Sequence, residues 1–368
     1  MVWAEIDLDH LRHNLNVVRR ALKKPPPEML AVVKADAYGH GMKQVALALE
    51  REGVHFFGVA NIDEAMELRS VCREAKILVL GSFHESQAPL YRRARIRPTL
   101  SSEEDARVLE KTLPRGRRFP VHVKIDTGMG RLGVWHEEAE KLFETLSQSK
   151  KIEVEGVYTH FSGADQSGGD STRRQIFRFN LLRRKLMERG VNPVYWHAAN
   201  SLGVLRFPDS HLNLVRPGIL FYGLNPTSSL AGVGLKPVMS LKTLISFLKK
   251  VRAGRALSYG GAYRTTKETW IATLPVGYSH GYRIGFSNNS SVLVNGRRCP
   301  VVGRVTMDQM LVDVGPAWPV KRWDEVVLIG RSGKEVISAE ELAAKTQTIP
   351  YEIVCSIHSR IPRIYKGL

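Results

Sequence analysis

Lys34 closes a short apolar run, Met29–Val33, in the segment AVVKADAYGHG. A lysine there has two readings. It snorkels or pairs with a carboxylate, or its amine loses its proton and forms a Schiff base with a carbonyl. Other polar residues recur in the same place, after other short apolar runs. Lys124, Asp126 and Arg131 follow one in VHVKIDTGMGRLG, and His160 ends another in GVYTHFSGAD. His197, Asn200 and Ser201 follow a third in WHAANS, and Arg216 and Gly218 follow a fourth in LVRPGILFYG. Ser201 offers a hydroxyl, and Gly218 and Ile219 offer backbone amides, donors suited to a phosphate. Tyr38, Gly39 and Gly41 follow Lys34 closely. Arg216 is a fixed cation able to meet a pyridine nitrogen. An amine, a phosphate cup and a partner for a ring nitrogen are what pyridoxal phosphate requires of its protein.

These residues need a scaffold that brings strand ends together. From residue 29 to about 220 short apolar runs alternate with longer amphipathic stretches. The runs are Met29–Val33, Phe56–Val59, Ile77–Leu80, Pro98–Leu100, Pro120–Ile125, Val154–Tyr158, Tyr195–Trp196 and Leu212–Val215. Helical periodicity marks Met42–Glu52, Asp63–Arg73, Glu103–Thr112 and Glu138–Ser149. Strands alternating with helices are parallel and joined by crossovers. About eight units in roughly 200 residues predict a closed (β/α)8 barrel, with an open doubly wound sheet as the competitor. Catalytic groups of such barrels sit at the C-terminal ends of the strands, where the polar residues above fall.

After about residue 235 the pattern becomes mostly β, with strands at Met239–Phe247, Thr269–Leu274, Ser291–Val294, Val301–Val302, Gln309–Val314 and Glu325–Ile329 and a helix at Ala339–Thr346. The fold class is therefore α/β, a barrel over residues 9–232 followed by a β domain over residues 233–368. The strand in residues 1–8 is expected to join the second domain, and Asp9–Ala21 reads as a helix leading into the barrel.

Composition narrows the function class. The start, MVWAEIDLDHLRHNL, lacks the apolar stretch of a signal peptide, and no run of about 18 apolar residues occurs. Cys72, Cys299 and Cys355 are far apart and odd in number, which suggests no metal cluster and no disulfide framework. A cytoplasmic protein without a metal or a membrane partner is expected. The net charge of +18 invites a nucleic-acid reading. The cations are scattered through helical segments such as Arg178–Arg189, with short clusters at Arg115–Arg118 and Lys249–Arg255, so a solvated basic surface is expected and no nucleic-acid partner.

AVVKADAYGHG, KIDTGMGRLG, THF, HAANS, VRPGI, LSYGGAY, PVGYSHGY, GRVTMDQ and YEIVCSIHSRIPRIY resemble, in order, the motif set of alanine racemases from about residue 2 to residue 365. The resemblance implies a homodimeric pyridoxal-phosphate enzyme with shared active sites that makes D-alanine for peptidoglycan. It implies that Lys34 carries the cofactor and serves one face of alanine's Cα, and that Tyr259 of the partner subunit serves the other. Tyr38, Ser201, Gly218, Ile219 and Tyr351 are implied to hold the phosphate, with Asn200 beside them. Arg216 is implied to face the pyridine nitrogen and Arg131 the phenolic oxygen. His160 orients the catalytic tyrosine, Met307 contributes to the substrate carboxylate site, and Tyr278 narrows the entrance. Lys124, seven positions before Arg131, is implied to be carbamylated.

Some residues have plainer readings. Asp126 and Asp308 could pair with arginines, His40 and His197 could be structural, Tyr263 and Tyr282 could be packing or entrance residues, and Trp196 could be core. The chain departs from the family at His280, where aspartate is common, and at Ile284, where arginine is common. Broad-spectrum or serine racemases share the plan, and similar two-domain decarboxylases are a weaker alternative. A non-catalytic pyridoxal-phosphate homeostasis protein resembles the barrel alone.

Overall fold

The computed structural model describes residues 1–367 apart from 115, 117, 228–231 and 318. Arg115 and Arg117 of the basic cluster thus lie outside the described residues. The chain divides into two compact units, one of Leu15–Ala37 and Met42–Phe221, the other of Met1–Asn14, Tyr38–Gly41 and Tyr222–Leu368.

The first unit is a parallel barrel. Its strands run in the order Lys76–Val79, Phe56–Val59, Glu28–Val32, Leu214–Arg216, Tyr195–Asn200, Ile152–Tyr158, Phe119–Asp126 and Thr99–Leu100. A parallel bridge from Leu78 to Arg97 joins the two ends of that order. Runs such as Phe56–Val59 are wholly apolar because both faces of the strand are buried. The surrounding helices bury one stripe each. Met42–Arg51 turns Met42, Val45, Ala46, Ala48 and Leu49 inward, and Asn61 and Ser102 cap Ile62–Arg69 and Glu103–Thr112 by accepting from Glu64 and Asp105 N–H. The expected strands lie within two residues of the observed ones, except that Tyr195–Trp196 extends to Asn200.

The second unit is built on a ten-stranded sheet. Trp3–Asp7 lies between Met239–Leu244, antiparallel, and Arg363–Lys366, parallel. Burial alternates along Met239–Leu244 and Met310–Gly315, the pattern of strands covered on one face. Ser338 caps the helix Ala339–Lys345 by accepting from Glu341 N–H. Among the described residues no helix is long and apolar enough to cross a membrane, and no cluster of histidine, cysteine or carboxylate side chains could hold a metal.

Candidate active site

Lys34 starts the short helix Lys34–Gly39, one residue after the strand Glu28–Val32. Ala35, Asp36, Ala37 and Tyr38 all have φ between 52° and 55°. This is a left-handed turn, which costs L-residues about 1–2 kcal/mol each. Side-chain clamps hold it. Glu64 accepts the Ala35 N–H at 2.8 Å through one carboxylate oxygen and the Ala60 N–H at 2.7 Å through the other. Asp36 accepts the Met42 N–H at 2.7 Å. The turn presents Lys34 half-buried at the C-terminal end of its strand.

The strand ending in Arg216 and the strands leading to Lys34 and Ser201 are neighbours, since Leu214–Arg216 pairs with both Glu28–Val32 and Tyr195–Asn200. Arg216 is 3 % exposed. It donates to the Thr159 carbonyl at 2.6 Å, the Ala198 carbonyl at 3.1 Å and His197 Nδ1 at 3.0 Å. Burial lowers its pKa to about 10, so it stays protonated at neutral pH. Ser201 Oγ accepts the Gly218 N–H at 2.9 Å, which joins the hydroxyl to the Gly218–Ile219 backbone. Asn200 caps the helix Ser201–Arg206 by accepting from the Gly203 N–H at 2.9 Å.

Lys124 lies in the strand Phe119–Asp126, 5 % exposed, its Nζ 4.5 Å from the centre of the Tyr158 ring. Burial, then Arg216 and Arg131, hold its pKa well below the usual lysine range, against the opposing pull of Asp126. Asp126 does not pair with an arginine. Its two oxygens accept the N–H groups of Gly128, Met129, Gly130 and Arg131 at 2.8, 2.9, 2.7 and 3.2 Å. The carboxylate therefore shapes the loop that presents Arg131. Asp308 likewise accepts from Ser279 Oγ at 2.7 Å, and neither aspartate forms an ion pair among the described residues.

His160 reports the sum of these charges. Burial, then Lys124, Arg216, Arg131 and Lys34, drive its pKa well below the usual histidine range. Four basic side chains act on one imidazole, and the nearby Asp126 carboxylate is already engaged by backbone amides. Such a mouth favours a ligand bearing several anionic oxygens. With the hydroxyl of Ser201, the amides beyond Arg216 and the amine of Lys34, this donor set fits pyridoxal phosphate.

The remaining candidates belong to the other unit. Tyr38 is 9 % exposed and packs its ring against Tyr222 and Tyr351, with centroids 4.9 and 5.9 Å away. Tyr259, Tyr278 and Met307 are 70 %, 43 % and 56 % exposed. Backbone hydrogen bonds from Tyr278 to Thr306 and from Ser279 to Met307, both 3.0 Å, tie two of their loops together. The approach requires Gly277, whose Cβ would lie 2.0 Å from the Thr306 carbonyl oxygen. Ser258 Oγ accepts the Arg304 N–H at 2.9 Å and tethers the Tyr259 turn to the same strip of chain. Of the family departures, His280 accepts from the Gly277 N–H at 3.3 Å and Ile284 is 59 % exposed. Tyr282, and Trp196 of the barrel unit, are buried packing residues, and His40 stacks on Tyr222.

Sequence reasoning missed Glu64, and the arginine pairing it left open for Asp126 is replaced by four backbone amides. Asp followed by two nearby glycines is a recognisable signal for a carboxylate folding a loop onto itself. Glu64 carries no such local mark.

The alanine racemase N-terminal domain matches residues 6–226, and the alanine racemase C-terminal domain matches residues 238–365. The alanine racemase of Carboxydothermus hydrogenoformans is 43% identical over 367 residues, covering 99% of both chains. That of Symbiobacterium thermophilum is 45% identical, covering 99% of this chain and 97% of the relative. The crystal structure of alanine racemase from E. faecalis superposes with a TM-score of 0.94 at 34% identity, covering 99% of this chain and 98% of that one. The Bacillus anthracis enzyme, solved with bound L-Ala-P, gives 0.93 at 36% identity, covering 99% and 95%. With both halves of the sequence and the whole fold matched, the chain belongs to the alanine racemase family of enzymes.

Proposed function

We propose that the chain interconverts L- and D-alanine with pyridoxal phosphate, as a homodimer whose two active sites each draw residues from both subunits. The convergence of four basic side chains on His160, one of them a lysine fixed at the start of a left-handed turn, carries this reading. When bound, the cofactor supplies an electron sink that makes the Cα proton of the amino acid acidic. The protein's own groups do the rest. Lys34 holds the cofactor covalently and, when released, holds a proton on one side of Cα. Tyr259 of the partner subunit gives or takes the proton on the other side, which agrees with its high exposure in the single chain. His160 and Arg216 orient that tyrosine. Tyr38, Ser201, Gly218, Ile219 and Tyr351 bind the phosphate, with Asn200 fixing the backbone that carries Ser201. Arg131 meets the phenolic oxygen. Arg216 keeps its proton and leaves the ring nitrogen bare, which disfavours transamination. Met307 and Tyr278 bound the substrate space, leaving room for little beyond a methyl group. D-alanine made this way would supply peptidoglycan, and a cytoplasmic location suits that supply.

The test is circular dichroism, or coupled detection of D-amino acids, on purified protein with pyridoxal phosphate and single L-amino acids. Alanine should be turned over fastest, serine detectably, and lysine and arginine far more slowly. A missing contact of one methylene is worth only ~1–3 kcal/mol, so serine is not excluded. Equal efficiency on lysine would overturn the narrow pocket, and bound cofactor with no turnover would overturn the activity.

A further inference from the structure

The barrel interior holds a continuous line of buried polar side chains running down from Arg216. His197 and His122 are fully buried, and His197 Nε2 lies 2.8 Å from His122 Nδ1. His122 Nε2 lies 3.3 Å from Glu155, and Glu155 is gripped by Arg97 at 2.7 and 3.1 Å. Burial lowers the pKa of both imidazoles, so each is neutral and carries one proton. Burial alone would raise the Glu155 pKa, but hydrogen bonds from His122 and Arg97 bring it down to about 2, so it is a carboxylate.

The two ends then dictate everything between them. Arginine only donates, so His197 Nδ1 must accept from Arg216 and its proton must sit on Nε2. That proton is donated to His122 Nδ1, which places the His122 proton on Nε2, facing a carboxylate that only accepts. One arrangement satisfies every group. The opposite one sets an N–H of His197 against an N–H of Arg216. The strand opposite His122 is cut to fit this line: His122 pairs with Gly156, and a Cβ there would lie 2.4 Å from His122 Nδ1 and Cε1.

We propose that Glu155, acting through His122 and His197, is a positioning residue that braces from the far end the accepting Nδ1 that His197 turns to Arg216, and so holds the orientation of the guanidinium. Its importance for catalysis rests on the role proposed above for Arg216. The relay itself is testable without turnover. In 15N-histidine spectra of the holoenzyme, His122 and His197 should both be Nε2–H tautomers. The guanidinium of Arg216 should show slowed rotation. Glu155→Ala removes only the lower constraint, so His197 should stay Nε2–H on the strength of Arg216 while the His122 ring loses its anchor and Arg216 rotates faster. Its kcat for alanine should fall about tenfold, the worth of one net hydrogen bond. Glu155→Gln keeps an accepting oxygen and should restore most of both. Gly156→Ala breaks the line sterically without changing a charge and should act like Glu155→Ala. An Nδ1–H tautomer at His197 in the unaltered protein overturns the relay, even if no variant folds. Unchanged rotation of Arg216 in Glu155→Ala overturns its reach to Arg216. Absence of alanine turnover in the unaltered protein, with the tautomers as expected, counts against the catalytic reading alone.

Discussion

Replacing Asp126 by asparagine removes a charge and one acceptor while keeping the shape. In the native loop each carboxylate oxygen serves two amides, Gly128 and Met129 on one side and Gly130 and Arg131 on the other. The asparagine oxygen keeps one pair, and its NH2 group faces the other pair, donor against donor. Two hydrogen bonds to a charged group, worth ~1.5–3 kcal/mol each, are lost. Gly128, Gly130 and Arg131 are exposed, so water recovers part of that loss. A net penalty of ~1.5–3 kcal/mol corresponds to roughly tenfold to a hundredfold faster local opening. Amide hydrogen exchange, resolved over residues 126–133, should show that acceleration at one pair and much less at the other. The kcat/KM for alanine should fall about tenfold as Arg131 loses its tether. Exchange within threefold of the unaltered protein at all four amides would refute the reasoning, because the carboxylate would then not be organising the loop.

Acid should destabilise the protein well before carboxylates titrate. His122, His160 and His197 have folded pKa values depressed chiefly by burial, so the unfolded chain binds more protons below about pH 6.5. Their stability contribution is complete above that pH and is lost as pH falls towards the folded values, by up to ~1.4 kcal/mol per group per pH unit. The urea midpoint should drop between pH 7.5 and pH 5.5, and an unchanged or rising midpoint contradicts this. Lys124, its pKa held well below the usual lysine range by burial and by Arg216 and Arg131, should add CO2 to its amine and release a proton, becoming an anionic carbamate. Labelled 13CO2 should give a carbamate signal that Lys124→Gln lacks; no signal, or density ending at a plain amine, contradicts it.

The barrel was legible because strands buried on both faces must be apolar throughout, as Phe56–Val59 is, and because their spacing leaves room only for crossover helices. Lys34 stands out as a candidate from its motif, but its left-handed turn was not legible. Alanine-rich sequence favours a right-handed helix, and the override comes from Glu64, 29 residues beyond Ala35. The line from His197 through His122 to Glu155 and Arg97 was invisible for a similar reason. Its hydrogen bonds span separations of 75, 33 and 58 residues, and single polar residues inside apolar strands carry no local signature. Tyr259 becomes a candidate only through the resemblance of LSYGGAY, since an exposed turn tyrosine has no periodicity to betray it.

The central claim, that one active site takes Lys34 from one subunit and Tyr259 from the other, is tested by complementation. Lys34→Ala and Tyr259→Ala, each inactive alone, are unfolded, mixed in equal amounts and refolded with pyridoxal phosphate. About half of randomly paired dimers are mixed, and each mixed dimer has one site with both defects and one site intact. About 25% of the unaltered enzyme's alanine racemisation should return. If both residues act within one chain, every site carries a defect. Activity no higher than that of the single variants, with mixed dimers confirmed by mass, would contradict the account.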